Sequence, residues 1–203
     1  MIITPLGRQA FKLQYGDLTL VTNPIAEKGE MPRFGADIAL VTLDHEHYNG
    51  SDLLSRGDVE PFVIDGPGDY EVKGIFVKGA GVQTNYDGES LINTMYSLTL
   101  DGISIGFLGT LSSKEISSEA REVIGSPDIL FVSLGGGLNA SDAYALATTF
   151  DPGIIIPMDF EHHSGMLDQF LKEAGQKPQA LDKLTLKRKD LDGKEAEVVL
   201  LKA

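Results

Sequence analysis

The residues best equipped for chemistry stand together at Asp44-His45-Glu46-His47-Tyr48-Asn49-Gly50, just after the apolar run Ile38-Ala39-Leu40-Val41. Imidazoles and carboxyls packed at the end of such a run suit metal ligation or general acid–base catalysis, because both need polar groups held in fixed geometry. His45 and His47 are two residues apart, so extended backbone points both to one side. A second packet, Asp159-Phe160-Glu161-His162-His163, follows the apolar run Ile154-Ile155-Ile156-Pro157-Met158. Neighbouring residues on an extended chain point opposite ways, so at most one of His162 and His163 joins the first packet; the plainer reading is a solvated loop pair.

The elements that must position these packets read as follows. Residues 2–6, 10–15 and 18–22 are short strands, with a tight turn at Gly16-Asp17, and Asn23-Pro24 ends the meander. Residues 26–36 carry Gly, Pro and charges and are expected to form a loop over the site. A strand over 37–42 leads into the His packet, and a short helix is expected at 50–56. Further strands fall at 61–65, at 70–82 in two pieces joined at Lys73-Gly74, at 94–100 and at 103–108. Residues 84–93 are polar and read as a hairpin tip or flap. Ser112 or Ser113 is the expected cap of a helix at 114–124. Strand and helix then alternate: a strand at 128–134, a helix at 140–150 capped by Asn139 or Ser141, a strand at 154–158 and an amphipathic helix at 165–174 stopped by Gly175. Two last strands, near 183–188 and 195–201, flank the turn Asp192-Gly193. A β-rich first half and a βαβα second half, without linker or repeat, predict one domain over residues 1–203, built of two sheets with helices outside.

Composition narrows the function. Seventeen basic residues against thirty acidic ones give a net charge of −13, which disfavours a phosphate backbone as partner. The compact cluster Lys187-Arg188-Lys189 is followed by Asp190 and Asp192 and reads as a solvated turn. The chain has no Cys, which excludes thiolate sites and disulfides. The first residues lack a basic segment before an apolar run, and no apolar stretch matches a membrane span. The expectation is a cytoplasmic protein whose partner is a small molecule, not nucleic acid or membrane.

Six ordered segments resemble the metallo-β-lactamase superfamily, in particular its small lactonase-like branch of zinc-dependent hydrolases. They are Ile2-Ile3-Thr4-Pro5-Leu6-Gly7 with Ala10-Phe11, Asn23-Pro24, Gly66 to Ile75, Asn93-Thr94 to Gly109, Phe131 to Gly137, and Ile156-Pro157-Met158-Asp159-Phe160. The resemblance covers nearly the whole chain and implies a four-layer αββα sandwich, two mixed sheets packed face to face. It also implies a metal site, and there the sequence departs. The family's H-x-H-x-D-H motif falls, ungapped, on Leu43, His45, His47 and Tyr48. Its bridging carboxylate is Thr110, its late His is Asp159, and its L-G-H opening has Arg8.

Leu43 cannot ligate, and Tyr48 and Thr110 are poor zinc ligands near neutral pH, so a full two-metal centre is not expected. Two readings follow. In one, the chain has lost hydrolysis and binds a small ligand or partner at the old cleft, with His45 and His47 as hydrogen-bonded rim residues. In the other, His45, His47 and Asp159, with Asp44 nearby, hold one zinc or other divalent ion and hydrolyse a small ester, lactone or phosphoester. Both place His45, His47, Thr110 and Asp159 on one cleft, because each follows a strand's carboxyl end. Arg8, Asp44 and His162 are further cleft candidates, and Arg8 is expected to offer its guanidinium to Asp159 or Asp44 in place of a metal's charge. Gly135-Gly136-Gly137 reads as a tight strand-to-helix turn or an anion cradle. A Ser133–His45–Asp159 triad lacks a nucleophile elbow and is set aside.

Overall fold

Along Ala10–Tyr15, Phe11 and Leu13 turn into the main core while Ala10 joins a separate outer cluster. This period of two is what lets a single strand carry two packed faces. The computed structural model describes residues 1–26, 31–32, 34–161, 163 and 165–202. His162 and part of the expected 26–36 loop lie outside the described residues.

In chain order the strands are β1 (Ile2–Gly7), β2 (Ala10–Tyr15), β3 (Leu18–Thr22), β4 (Ile38–Leu40), β5 (Phe62–Ile64), β6 (Gly68–Val72), β7 (Ile75–Tyr86), β8 (Glu89–Leu100), β9 (Ile103–Phe107), β10 (Ile129–Ser133), β11 (Ile154–Met158), β12 (Leu184–Thr185) and β13 (Glu197–Val198). The helices are α1 (Ser118–Ile124), α2 (Ala140–Thr148) and α3 (Met166–Ala174). One sheet has the order β12-β1-β2-β3-β4-β5 and the other β13-β11-β10-β9-β8-β7-β6. Both are mixed: β3, β4 and β5 run parallel beside the antiparallel β1–β3 meander, and β9, β10, β11 and β13 run parallel beside the β6–β9 meander.

The sheets face each other across one apolar core. The Phe131 ring stacks on Phe107 with centroids 4.5 Å apart and meets Phe11 at 4.8 Å. Among the described residues, all three α-helices cover the outer face of the second sheet, through Ile124, Ala143, Leu146 and Phe170. Among the described residues, the outer face of the first sheet is covered more thinly. A 3-10 turn at Ser51–Leu54 and the loop carrying Met31, Phe34 and Ala36 pack on Ala10, Val21 and Ala39.

Local departures from the sequence expectations have local causes. The first helix starts at Ser118, not 114, because the Ser117 hydroxyl caps it by accepting from Ala120 N. Of the two readings of residues 84–93, the structure takes the hairpin tip: β7 and β8 run on as one hairpin and turn at Asp87-Gly88, both at positive φ. The two last strands shrink to two residues each and join different sheets, so Asp192-Gly193 does not link a hairpin. The strand expected at 37–42 stops at Leu40, and Thr42 N then donates to the Asn23 side chain, 2.8 Å away, instead of to a neighbouring strand. That switch from ladder to side chain opens the site.

Candidate functional site

A buried amide holds the cleft together. Gln9 is fully buried in the turn between β1 and β2, after Arg8 at φ 50°. Its Nε2 lies 2.8 Å from Thr110 Oγ1, 3.0 Å from Ser133 Oγ and 3.0 Å from Asp159 Oδ2. Its Oε1 accepts from Asn23 Nδ2 at 3.2 Å, and Asn23 Nδ2 also donates to Thr42 Oγ1 at 3.0 Å. Asn93 secures the third side, accepting from Thr110 N and donating to Leu108 O, both at 2.8 Å. The ends of β3, β4, β9, β10 and β11 are thereby tied to the start of β2 by side chains. Burial in a poorly polarisable setting makes each bond matter, since an unpaired partner would have no water to turn to.

Asp159 is only 2% exposed and sits at φ 57°, with its own N–H donated to Arg8 O at 3.0 Å. Gly135 gives its carboxylate room: a Cβ there would stand 2.6 Å from Asp159 Oδ2. Besides Gln9, that oxygen receives the Tyr48 hydroxyl at 2.7 Å. The Tyr48 and Tyr86 hydroxyls are 3.0 Å apart, and Tyr86 in turn lies 3.0 Å from His47 Nδ1. A chain of hydrogen bonds thus runs from Thr110 through Gln9, Asp159, Tyr48 and Tyr86 to His47. Burial first, and then the charge of Asp159, push the Tyr48 hydroxyl far above the ordinary tyrosine range. Tyr86 is raised too, chiefly by burial.

The direction of these bonds follows from counting hydrogens. A carboxylate only accepts, so Tyr48's single hydrogen goes to Asp159. Tyr86 must then donate to Tyr48, and His47 Nδ1 must carry the hydrogen shared with Tyr86. In the neutral ring, Nε2 is then the acceptor nitrogen of His47. His45 is set the other way: its Nδ1 accepts from His47 N at 3.2 Å, so its Nε2 carries the hydrogen and faces Asp87 Oδ2 at 3.6 Å. The two imidazole centroids are 4.6 Å apart, and His45 meets Tyr86 edge-on at 4.9 Å.

Asp44 is exposed and accepts from Asn49 Nδ2 at 2.8 Å. Arg8 forms no ion pair among the described residues; its Nε is buried without a partner, and its charge is felt at Tyr86. The expected pairing of Arg8 with Asp159 or Asp44 is therefore not made, and the next residue, Gln9, reaches Asp159 instead. Leu43 is buried and bridged to Asn93.

A two-metal centre does not fit these residues. At the ligand positions stand an apolar Leu43, a Tyr48 already donating to Asp159, and a Thr110 bonded to an amide. The space they share holds the N–H groups of Gln9, which would face a cation with their positive ends. A single divalent ion has a better candidate set at the rim, where ligand atoms of His45, His47 and Asp87 lie within 4.8 Å of one another. The carboxylate in that set is Asp87, from the β7–β8 turn, and not Asp159.

Fold and site together define a metallo-β-lactamase-type sandwich whose cleft is laced by hydrogen-bonded side chains around Asp159. The profile of the β-lactamase superfamily domain matches residues 2–159, and the chain belongs to that superfamily. It is similar to a candidate Zn-dependent hydrolase of the metallo-β-lactamase superfamily from Thermotoga maritima, at 28% identity and TM-score 0.75, over 98% of this chain and 97% of that one. It is also similar in fold to a candidate metal-dependent hydrolase from Parabacteroides distasonis (18% identity, TM-score 0.67, over 85% and 89% of the two chains). A third similar fold is a metallo-hydrolase from Ignicoccus hospitalis (14% identity, TM-score 0.65, over 98% and 94%). No curated protein matches the chain.

Sequence reasoning misses Gln9, Asn23, Asn93, Tyr86 and Asp87. Gln9 stands beside Arg8 inside the opening motif, so an uncharged amide flanked by Gly7, Ala10 and Phe11 was the available signal. Tyr86 and Asp87 reach the site only through the length of the β7–β8 hairpin, which polar composition hides.

Proposed function

We propose that this chain has given up two-metal hydrolysis and uses the cleft around His47, Tyr48 and Tyr86 to bind a small polar ligand. The observation that carries the reading is the Gln9 amide nitrogen, which lies within 3.0 Å of Thr110 Oγ1, Ser133 Oγ and Asp159 Oδ2 and shares its two hydrogens among them. An amide in that place does for Asp159 what a cation does elsewhere: it offers positive hydrogens to a buried carboxylate, which would otherwise be costly to bury. Metal analysis of protein purified without chelator tests it, alongside turnover of an ester, lactone and phosphoester panel. The expected result is less than one equivalent of tightly held metal and no turnover. Two tightly bound zinc or manganese ions per chain would sink the reading.

The His45–His47–Asp87 cluster favours a second reading, a hydrolase that uses one divalent ion. Such an ion lowers the pKa of a bound water and so supplies a nucleophile near neutral pH. His47 Nε2 suits this role as it stands. His45 would have to move its hydrogen to Nδ1 and forgo the bond from His47 N. In this reading His45→Ala with His47→Ala abolishes metal-stimulated turnover, and unchanged turnover removes both residues from the mechanism.

A further inference from the structure

The outer face of the first sheet carries a cavity of about 600 Å³ on the side away from the helices. Ligand pockets commonly span ~300–1,000 Å³. Lys12, Gln14 and Thr19 enter it from β2 and β3, and Phe34, Ser55 and Arg56 from the two loops above. It is distinct from the cleft: Gln9 lies at the start of β2, whereas Gln14 lies near its far end. In a chain of net charge −13, this cavity gathers two cations, and neither forms an ion pair among the described residues. Asp37, which bonds Thr19 N at 2.8 Å, is already engaged by Lys73.

The cations are placed by the fold. Arg56 and Val59 exchange both backbone bonds, at 2.9 and 3.1 Å, around Gly57 at φ 61°. Ala36 N donates to Leu54 O at 3.1 Å and draws the two loops together. Gly35 lies so close that a Cβ on it would stand 2.7 Å from Arg56 Cβ, so the arginine stem runs along a track only glycine permits. Lys12 Nζ is held 4.9 Å from the Phe34 ring centroid.

We propose that this cavity binds the phosphate group of a small phosphomonoester. A guanidinium fork takes two phosphate oxygens, and the ammonium serves as a point charge for the third. The Thr19 and Ser55 hydroxyls and the Gln14 amide are further donors. A dianion gains from both cations where a monocarboxylate gains less, and Phe34 offers an apolar wall for the organic part of an ester.

The test is calorimetric titration of the full chain with phenyl phosphate and with inorganic phosphate at low ionic strength, with amide shifts followed by NMR. Saturable binding of phenyl phosphate is expected, tighter than that of the free ion. Shifts should centre on Lys12, Thr19, Gly35, Arg56 and Gly57, and affinity should fall at least tenfold in Arg56→Gln and in Lys12→Met. Arg56 is exposed, so its variant tests binding without testing folding. The proposal is overturned by no binding, by binding that both substitutions leave unchanged, by shifts confined to the Gln9–His47 cleft, or by inorganic phosphate binding as tightly as the ester.

Discussion

Replacing Gln9 by Met keeps most of the side-chain volume and removes every hydrogen bond of the amide. The structure sets the expected cost. Asp159 Oδ2 loses a donor at 3.0 Å and keeps only Tyr48 at 2.7 Å. A buried bond to a charged group contributes about 1.5–3 kcal/mol. Thr110 and Ser133 lose a common partner but are hydroxyls that can reorient, and Asn23 Nδ2 retains Thr42, so each of these contributes about 0.5 kcal/mol. The sum is about 3–4.5 kcal/mol, large against a typical total stability of about 5–15 kcal/mol. For a chain of this size it corresponds to a fall of roughly 6–18 °C in Tm. Urea unfolding followed by circular dichroism measures it. Gln9→Glu adds a pH signature: beside Asp159 the new carboxyl has its folded-state pKa raised. Its contribution to stability is then fullest at low pH and is lost as pH rises through that value. If Gln9→Met costs under about 1 kcal/mol with an unchanged urea slope, the amide is not what holds the cleft, and the case against a buried metal loses its main support.

Tyr48→Phe removes the second donor to Asp159 and should cost about 1.5–3 kcal/mol, read by the same urea titration. Tyr48 and Tyr96 both have folded-state pKa values pushed up by burial, so the folded chain keeps protons that the unfolded chain gives up above a pH of about 10. Stability is therefore full below that pH and should fall above it; phenolate absorbance should rise in step with unfolding. A Cβ at Gly109 would stand 2.2 Å from Asn93 Oδ1, and Gly109 has φ 63°, so Gly109→Ala should destabilise by more than about 2 kcal/mol. An unchanged urea midpoint in that variant would show that the loop can move aside.

The sandwich is legible in the sequence because its strands announce themselves by local pattern. Phe11 and Leu13 alternate with polar residues, and the runs at 129–132 and 154–158 are apolar throughout, as strands buried on both faces must be. Asn139 and Gly175 mark helix ends by capping chemistry that acts within a few residues. The site is legible only where chemistry-bearing residues crowd together, as at His45 and His47. Gln9 and Asn23 act through partners more than a hundred and nearly twenty residues away, respectively, and an amide bonded across a fold has the same local signature as one facing water. The last two strands fail for a related reason: their pairing is decided by the edges of two different sheets, and nothing in a two-residue segment encodes which edge it meets.

The cleft keeps the backbone scaffold of its family around a hydrogen-bonded Asp159. Asp159 remains at positive φ, anchored by Arg8 O, and Gly135 and Gly109 still make room for side chains that point inward. Such backbone is unfavourable by about 1–3 kcal/mol at each non-glycine position and persists only where its surroundings hold it. Here the Gln9 amide and the Tyr48 hydroxyl do the holding, both donating to one carboxylate oxygen. That same arrangement sends a defined order of hydrogens outward through Tyr86 and makes Nε2 the acceptor nitrogen of a neutral His47. The buried half of the site presents the Gln9 N–H groups, while half-buried His47 offers that acceptor. A ligand carrying a hydrogen-bond donor meets that acceptor at once, whereas a divalent ion must first turn over the tautomer of His45. On this ordering, ligand binding is the smaller step from the structure as it stands.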